Sequence, residues 1–406
     1  MSRPLPFNGV LSADAVVSTL ESRFAYDDPN PFTFGALSYS LSESTDTEIF
    51  NAAARRISRE LCLNNPFAIN ALENRVNYVV GFGHKYQATA RDAQDAELAQ
   101  KTQDIIVDFI VANDWFKRQQ EILRRYDRDG EVFLRFFRDD VGKTVVRFVE
   151  PEQVKTPQGH NARSTRCGIV AEKRDAEKIL GYWIDDVFVD ASKIQHRKAN
   201  VDSTVSRGVP LLYPVRDNLR RAEKLLRNMS VVAEIQSSIA LIRKHANGSQ
   251  ESIRRFVRDK NQSNHDLPPR ERFQPGTIVD ATAGVDYEFP IAGIDATRYV
   301  QILQAELRAI AARLTIPEFM LSSDASNANY SSTSVAEGPA VRNFERMQHE
   351  LIKEDMKIVW RVVEDAVLFV DFALRRREIK KFQHVLVVHN ALSILRLILL
   401  QRKDDC

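Results

Sequence analysis

Apolar residues recur at alternating four- and three-residue steps in Leu303, Leu307, Ile310 and Leu314, which predicts the stripe of an amphipathic helix. Pro317 is expected to end it, because a residue before proline is driven out of the α region. A second, longer helix is predicted from Val341, Phe344, Leu351, Val359 and Val363. Between the two, residues 322–334 carry no apolar period and read as a polar loop rich in Ser and Asn. A long loop held between two good helices is where function concentrates, with a plain surface connector as the alternative. Ser334 and Glu337 stand at capping-box spacing. Pro339 predicts that the second helix either starts there or is kinked there.

Elsewhere the pattern alternates between helical and strand-like stretches. Residues 1–44 show no clear period and read as an arm, partly disordered or lying on a neighbour. Residues 45–77 are helical, broken once at Asn65 and Pro66, and Gly81 and Gly83 close that unit. Residues 101–126 read as one amphipathic helix carrying Ile105, Phe109, Trp115 and Ile122. The period then changes to two: 131–137 and 144–149 are strand-like and joined by a hairpin turn, followed by 181–184 and 187–189. Residues 215–245 predict a long helix, from Val215, Leu219, Ala222, Leu226 and Met229 and a continuing face of Ile235, Ile239 and Ile242. Residues 247–274 are polar, with a helical piece at 251–260, and short strands are expected at 277–279 and 287–289. The predicted fold class is α+β, mainly helical.

Composition narrows the chemistry. At 406 residues the chain can build two or three subdomains. A net charge of +2 excludes a polycation that clamps nucleic acid by bulk attraction, though not a channel past which DNA slides. Cys62, Cys167 and Cys406 form no Cys-x-x-Cys pair, so neither a zinc ribbon nor a disulfide framework is expected, and a reducing intracellular setting fits. No secretion signal is read at the start, and 384–400 is too short and polar for a membrane span. Gly81 and Gly83 lack the third glycine of a dinucleotide fingerprint, since Tyr86 stands there. Gly142, Lys143 and Thr144 lack the first glycine of a phosphate loop, since Phe137 stands there. Asp127, Asp129, Glu131, Asp139 and Asp140 could be imagined as a metal cluster, but turn carboxylates are expected to be solvated. His196 reads as a hydrogen-bonded structural residue.

Several blocks, in order, resemble tailed-phage portal proteins of the lambda type. They are Asn65, Pro66, Phe67 and Ala68 with Asn77 to Gly81; Asp129, Gly130, Glu131 and Phe133; and Phe148, Val149, Glu150 and Pro151. Ile194 to His196 and then Arg207, Gly208, Val209 and Pro210 follow. Last come Ile310, Ala311, Leu314, Ile316 and Pro317, then Asn329, Tyr330, Ser331 and Ser332, then Phe344. The resemblance covers roughly 45–372 and departs after Phe372, where a basic run and an apolar tail stand in place of a longer C-terminal region.

The resemblance implies a ring-forming subunit built of wing, stem helices and clip. The implied parts are an N-terminal arm (1–44), an α+β wing (45–205), a first stem helix (206–246) and a clip (247–292). A second stem helix (293–317), a channel loop (318–334), a wing helix (335–374) and a reduced C-terminal region (375–406) complete it. Ser326, Asn327, Asn329, Tyr330, Ser331 and Ser332 are the expected DNA-channel loop residues, and Arg254, Arg255, Arg258 and Lys260 the expected motor-docking residues of the clip. The implied partners are further copies in a dodecameric ring, the terminase large subunit, a capsid or scaffold protein, a head–tail connector and transiently held double-stranded DNA. No membrane, metal, cofactor or catalytic residue is implied. The implied location is the capsid vertex of the virion, with a stage in the host cytoplasm during assembly. The rival readings are a nucleic-acid-processing enzyme such as a nuclease, and an inactive prophage remnant.

Overall fold

In the computed structural model, the break expected at Asn65 and Pro66 separates two helices, α1 (Ser44–Asn64) and α2 (Pro66–Val79). The Asn65 side chain accepts from Phe67 N at 3.1 Å and Ala68 N at 3.2 Å, and Pro66 supplies a fixed φ where no N–H is needed. Gly81, at φ +55°, closes α2 by donating to Val76 O at 3.0 Å. The structure describes residues 44–90, 95–139, 142–159, 164–244, 277–281, 296–324, 326, 330–370 and 386–387. The chain is α+β and mainly helical. It divides into two compact units, Met1–Arg216 with Ala311–Cys406, and Asp217–Ile310.

In the first unit, a short strand β1 (Gln87–Ala88) precedes α3 (Ala96–Asn113) and α4 (Trp115–Asp129). The single helix expected over 101–126 is therefore two. The chain turns at Asp114, which adopts a left-handed φ of 47°. The cause is tertiary: the buried Asn113 amide donates to Thr144 O at 3.2 Å, and Val146 N donates back to Asn113 Oδ1 at 2.9 Å. These bonds fasten the helix end to a strand, and Asp is one of the few residues that tolerates the left-handed bend. Trp115, fully enclosed, packs against Phe109 beneath the corner.

Strands β2 (Glu131–Arg138), β3 (Thr144–Val149) and β8 (Ile194–Lys198) form an antiparallel sheet in the order β3-β2-β8. A second antiparallel sheet runs β4 (Thr165–Arg166), β5 (Ile169–Glu172), β6 (Asp175–Ile184) and β7 (Val187–Asp190) in sequence order. Phe133, Val149, Ile169, Tyr182, Ile184, Val189 and Ile194 form one buried cluster that joins the two sheets. β2, β3, β7 and the end of β6 match the expected positions, because β-branched and aromatic residues alternate there, whereas β4, β5 and the start of β6 fall outside the expected strands.

In the second unit, α5 (Arg216–Ser238) leads to β9 (Ile239–Lys244), which pairs in parallel with β10 (Thr277–Ala281). The expected helical continuation through Ile239 and Ile242 is thus a strand. An apolar run rich in β-branched residues satisfies either period, and here strand pairing wins. Helix α6 (Ala296–Leu314) faces α5 through Glu306, which accepts from Arg221 Nε at 2.7 Å and from Asn218 Nδ2 at 2.7 Å.

Pro317 does not end α6. The helix stops at Leu314, and Thr315 turns left-handed at φ 56°. Pro317 instead opens a short helix α7 (Glu318–Ser322). The final helix, α8 (Tyr330–Val370), starts before both Ser334 and Pro339 and runs through the proline. Pro339 leaves the Val335 carbonyl without its intrahelical donor. Val335 is 80% exposed, so water can satisfy it, and Ala340, Phe344, Met347 and Leu351 are buried on the face beyond. The residues expected to form a loop over 318–334 are therefore helical at both ends, and 323–329 remain between them. A strand β11 (Leu386–Val387) pairs with β1. The expected arm, most of the expected clip and most of the expected C-terminal region lie outside the described residues.

Of the five carboxylates weighed as a metal cluster and expected to be solvated, three are buried. Asp127 and Asp129 close the last turn of α4, Glu131 opens β2, and each is at most 1% exposed. Arg75 holds Asp127 with two bonds of 2.7 and 3.0 Å. Arg59 and Arg128 hold Asp129, the closest contacts being 2.7 Å. Arg207 forks onto Glu131 with Nη2 at 2.6 Å and Nε at 2.9 Å, and Arg55 adds a contact at 3.2 Å. Arg207's remaining N–H groups donate to the carbonyls of Pro151, Val154 and Cys167. The neighbouring glycines interlock: a Cβ on Gly208 would stand 1.9 Å from Gly130 O, and one on Gly130 would stand 2.3 Å from Val209 C. No side chain fits between these two segments.

Removing one partner of a buried, hydrogen-bonded ion pair leaves the other charge uncompensated. Glu131→Ala is expected to lower stability by about 3–5 kcal/mol, measured as an earlier urea midpoint. Burial alone would raise the Glu131 pKa, but Arg207 and His196 override it and hold the carboxyl far below its ordinary 4.5. A depressed folded pKa stabilises the fold above the unfolded value and loses that contribution as pH falls. The parent chain should therefore lose stability progressively below pH 4.5, and Glu131→Gln should show a shallower decline over the same range. Urea titrations at stepwise lower pH check this.

Candidate functional site

The polar segment between α7 and α8 is set on a fixed base. Leu321 of α7 is buried, and the carbonyls at the end of that short helix are taken up by two asparagines of α2. Asn70 Nδ2 donates to Met320 O at 3.0 Å and to Leu321 O at 2.7 Å, and Asn74 Nδ2 donates to Met320 O at 2.8 Å. The two asparagines lie one helical turn apart, so both amides reach the same helix end. Ser323 then turns left-handed at φ 57°. Beyond it, Asp324 N donates to Ser322 Oγ at 3.3 Å and Ser326 N donates to Asp324 Oδ1 at 2.9 Å. The bond from Ser326 lowers the Asp324 carboxyl pKa.

Ser326 is exposed on this segment. Tyr330, Ser331 and Ser332 belong to the first turn of α8 rather than to a loop. Asn327 and Asn329 lie outside the described residues, as do Arg254, Arg255, Arg258 and Lys260. Sequence reasoning missed Asn70 and Asn74, whose only signal was the spacing of two amides on a helix.

The one arrangement with the look of acid–base chemistry is Glu131 with His196, whose Nε2 lies 3.2 Å from Glu131 Oε2. An ionised carboxylate only accepts, so Nε2 carries the proton. The imidazole stacks on Phe133 at 4.1 Å, and burial lowers its pKa although Glu131 favours its charged form. Glu131 has no exposure to solvent and its oxygens are filled by Arg207, Arg55, His196 and Gly208 N. The pair is an internal tie whose carboxylate is closed to solvent. Among the described residues no group of three or more His, Cys, Asp or Glu could hold a metal. Cys62 and Cys167 are free thiols whose pKa values burial raises, to about 12 and about 11. Groups raised that far stay protonated at neutral pH.

Buried carboxylates committed to arginines, two sheets locked together and a polar segment on a pinned base define a structural subunit. A sequence model of the family described as phage portal protein, lambda family, matches residues 38–348, and the chain belongs to that family. The protein is a phage portal protein, a member of a structural rather than an enzymatic family. Among solved structures it is similar to an HK97 family phage portal protein from Corynebacterium diphtheriae, at 13% identity over 69% of this chain and 83% of that one, with a TM-score of 0.32. It is also similar to a chain in the neck of a native gene transfer agent particle computed with C12 symmetry, at 13% identity, 69% and 74% coverage and a TM-score of 0.38. A chain in the virion of a native gene transfer agent particle matches at 13% identity, 71% and 74% coverage and a TM-score of 0.39. No curated protein matches the chain.

Replacing Asn70 and Asn74 together by alanine strips the end of α7 of its side-chain donors. Hydrogen–deuterium exchange is expected to rise at 319–324 while exchange in β2 stays unchanged. Unaltered exchange at 319–324 would show that the two amides do not hold the segment.

Proposed function

We propose that copies of this chain close into a homo-oligomeric ring, dodecameric as the resemblance implies, at one vertex of the capsid. The ring is a conduit through which double-stranded DNA is packaged and later ejected. The observation that carries this reading is the family match across residues 38–348. A closed cyclic arrangement suits such a role because it leaves no interface unfilled. The first unit supplies the wing, α5 and α6 supply the two stem helices, and the chain between them supplies the clip. The near-neutral net charge of +2 suits a bore past which phosphates slide.

The segment from Ser326 through Ser332 faces the DNA path, where hydroxyls and amides touch phosphates without holding them strongly. The clip residues Arg254, Arg255, Arg258 and Lys260 dock the motor. That motor, the terminase large subunit, is a separate protein that brings the nucleotide chemistry, and this chain has no catalytic role. A capsid or scaffold protein and a head–tail connector are the other partners. No described helix is long and apolar enough to cross a membrane. Assembly takes place in the host cytoplasm before the ring enters the virion.

Negative-stain imaging with mass measurement of the purified chain tests the ring, and monomers at every concentration would defeat it. Deleting 327–332, which removes the intervening segment and the start of α8, is expected to leave rings intact while DNA packaging or retention drops. Normal packaging by that deletion would remove the segment from the DNA path.

A further inference from the structure

The first unit carries a cleft of about 620 Å³, floored by α4 and walled by β8 with its following residues on one side and α8 on the other. Cations dominate its lining. Four of them are matched by carboxylates: Arg75 by Asp127, Arg197 by Asp355, Arg346 by Glu350 and Lys357 by Glu354. Three are not. Lys198 reaches only the carbonyls of Ser203 and Val205, Arg313 reaches only Asn200 Oδ1 at 2.8 Å, and the exposed Lys353 has no partner among the described residues. Arg313 Nε and Arg197 Nη1 are buried with no hydrogen-bond partner. Burial and the adjacent Arg75 both lower the Arg313 pKa, a strain that an arriving anion would relieve. The cleft carries more cations than carboxylates and has room for a small protruding segment.

The same chain presents such a segment elsewhere on its surface. The β6–β7 hairpin turns through Asp185 and Asp186, between the paired residues Ile184 and Val187. Both aspartates are exposed and left-handed, at φ 48° and 64°. Among the described residues they are the one adjacent pair of acids that are both exposed, and neither has a cationic partner. Asp185 accepts only the Gln153 amide, at 2.8 Å, which fixes the turn. Valine and phenylalanine follow at 187 and 188, 62% and 46% exposed.

We propose that the cationic cleft of one copy receives the Asp185 and Asp186 hairpin tip of the next. This rests on the ring reading and names one contact within it. The two surfaces are different patches of one chain, so the contact is head-to-tail, the kind that generates a ring when its rotation closes. A preformed hairpin loses little conformational freedom on docking, and complementary charge fixes which patch meets which.

Lys353→Glu and Asp186→Lys alter exposed residues that have no cationic or acidic partner among the described residues, and an unchanged melting temperature verifies that the fold, with the left-handed turn at 186, accepts them. In sedimentation velocity on the full chain, each single variant is expected to raise the concentration for half assembly about tenfold. The double variant should regain parent assembly, because the reversed charges pair again. Singles that assemble like the parent, or a double variant no better than either single, overturn the contact. A parent chain that never assembles counts against the ring reading alone, and a second measurement then decides the contact. A cyclised, labelled peptide of residues 183–188 is expected to bind the full chain in fluorescence anisotropy, and to bind Lys353→Glu about tenfold more weakly. Absence of binding, or equal binding to both, overturns the docking.

Discussion

Glu131 sits, fully enclosed, where four stretches of chain meet. Arg55 arrives from α1, His196 from β8, and Arg207 with Gly208 N from the segment leading to α5, while Glu131 itself starts β2. A charge out of water cannot be left half satisfied, so the fold is competent only when all four arrive together. Replacing such a cluster by apolar residues of equal shape need not weaken a protein, so its value lies in specifying one arrangement. Here it selects the register of β2 against β8, which puts Glu131 opposite Lys198 and Phe133 opposite His196. It also sets the depth at which Gly208 seats against Gly130.

The same economy of charge runs through the first unit. Asp355 on α8 accepts from Tyr86 Oη, Gln119 Nε2 and Arg197 Nη2 at 2.7–2.8 Å, tying the long helix to α4 and β8. Three of the acids that on paper suggest a metal centre, Asp127, Asp129 and Glu131, are each met by guanidinium groups, whose forks match carboxylates geometrically. These buried ties stiffen the first unit. The open ends of charge lie outside these ties, in the cleft and at the hairpin tip.

Much of the local structure could be read from the residues, and the failures share one cause. Strands at 131–138, 144–149, 181–184 and 187–190 were legible because alternation and β-branching agree there. The turn at Asp114 was not, because it depends on a bond from Asn113 to a strand 31 residues away. Burial of Asp127, Asp129 and Glu131 was equally hidden, since their arginines lie 52, 70 and 76 residues off. The Asn70 amide caps a helix end 250 residues downstream. Three of the ordered blocks that carry the resemblance, Asp129 to Phe133, Ile194 to His196 and Arg207 to Pro210, converge on Glu131. Those blocks therefore report a packing solution. Of the residues named for DNA contact, only Ser326 has a described, exposed side chain, and its position says nothing of reactivity.

The second unit has a nested connectivity. The β9–β10 pair lies inside the stretch of chain bounded by Arg221 and Glu306, whose contact spans 85 residues. Closing the inner pair first roughly halves the slack that the outer contact must gather, and each halving spares about 0.6 kcal/mol of closure entropy. Parallel strands cannot be joined by a tight turn, so that inner closure is itself the slow, non-local step. The second unit is thus expected to fold from its inner closure outward, strand pair before helix pair.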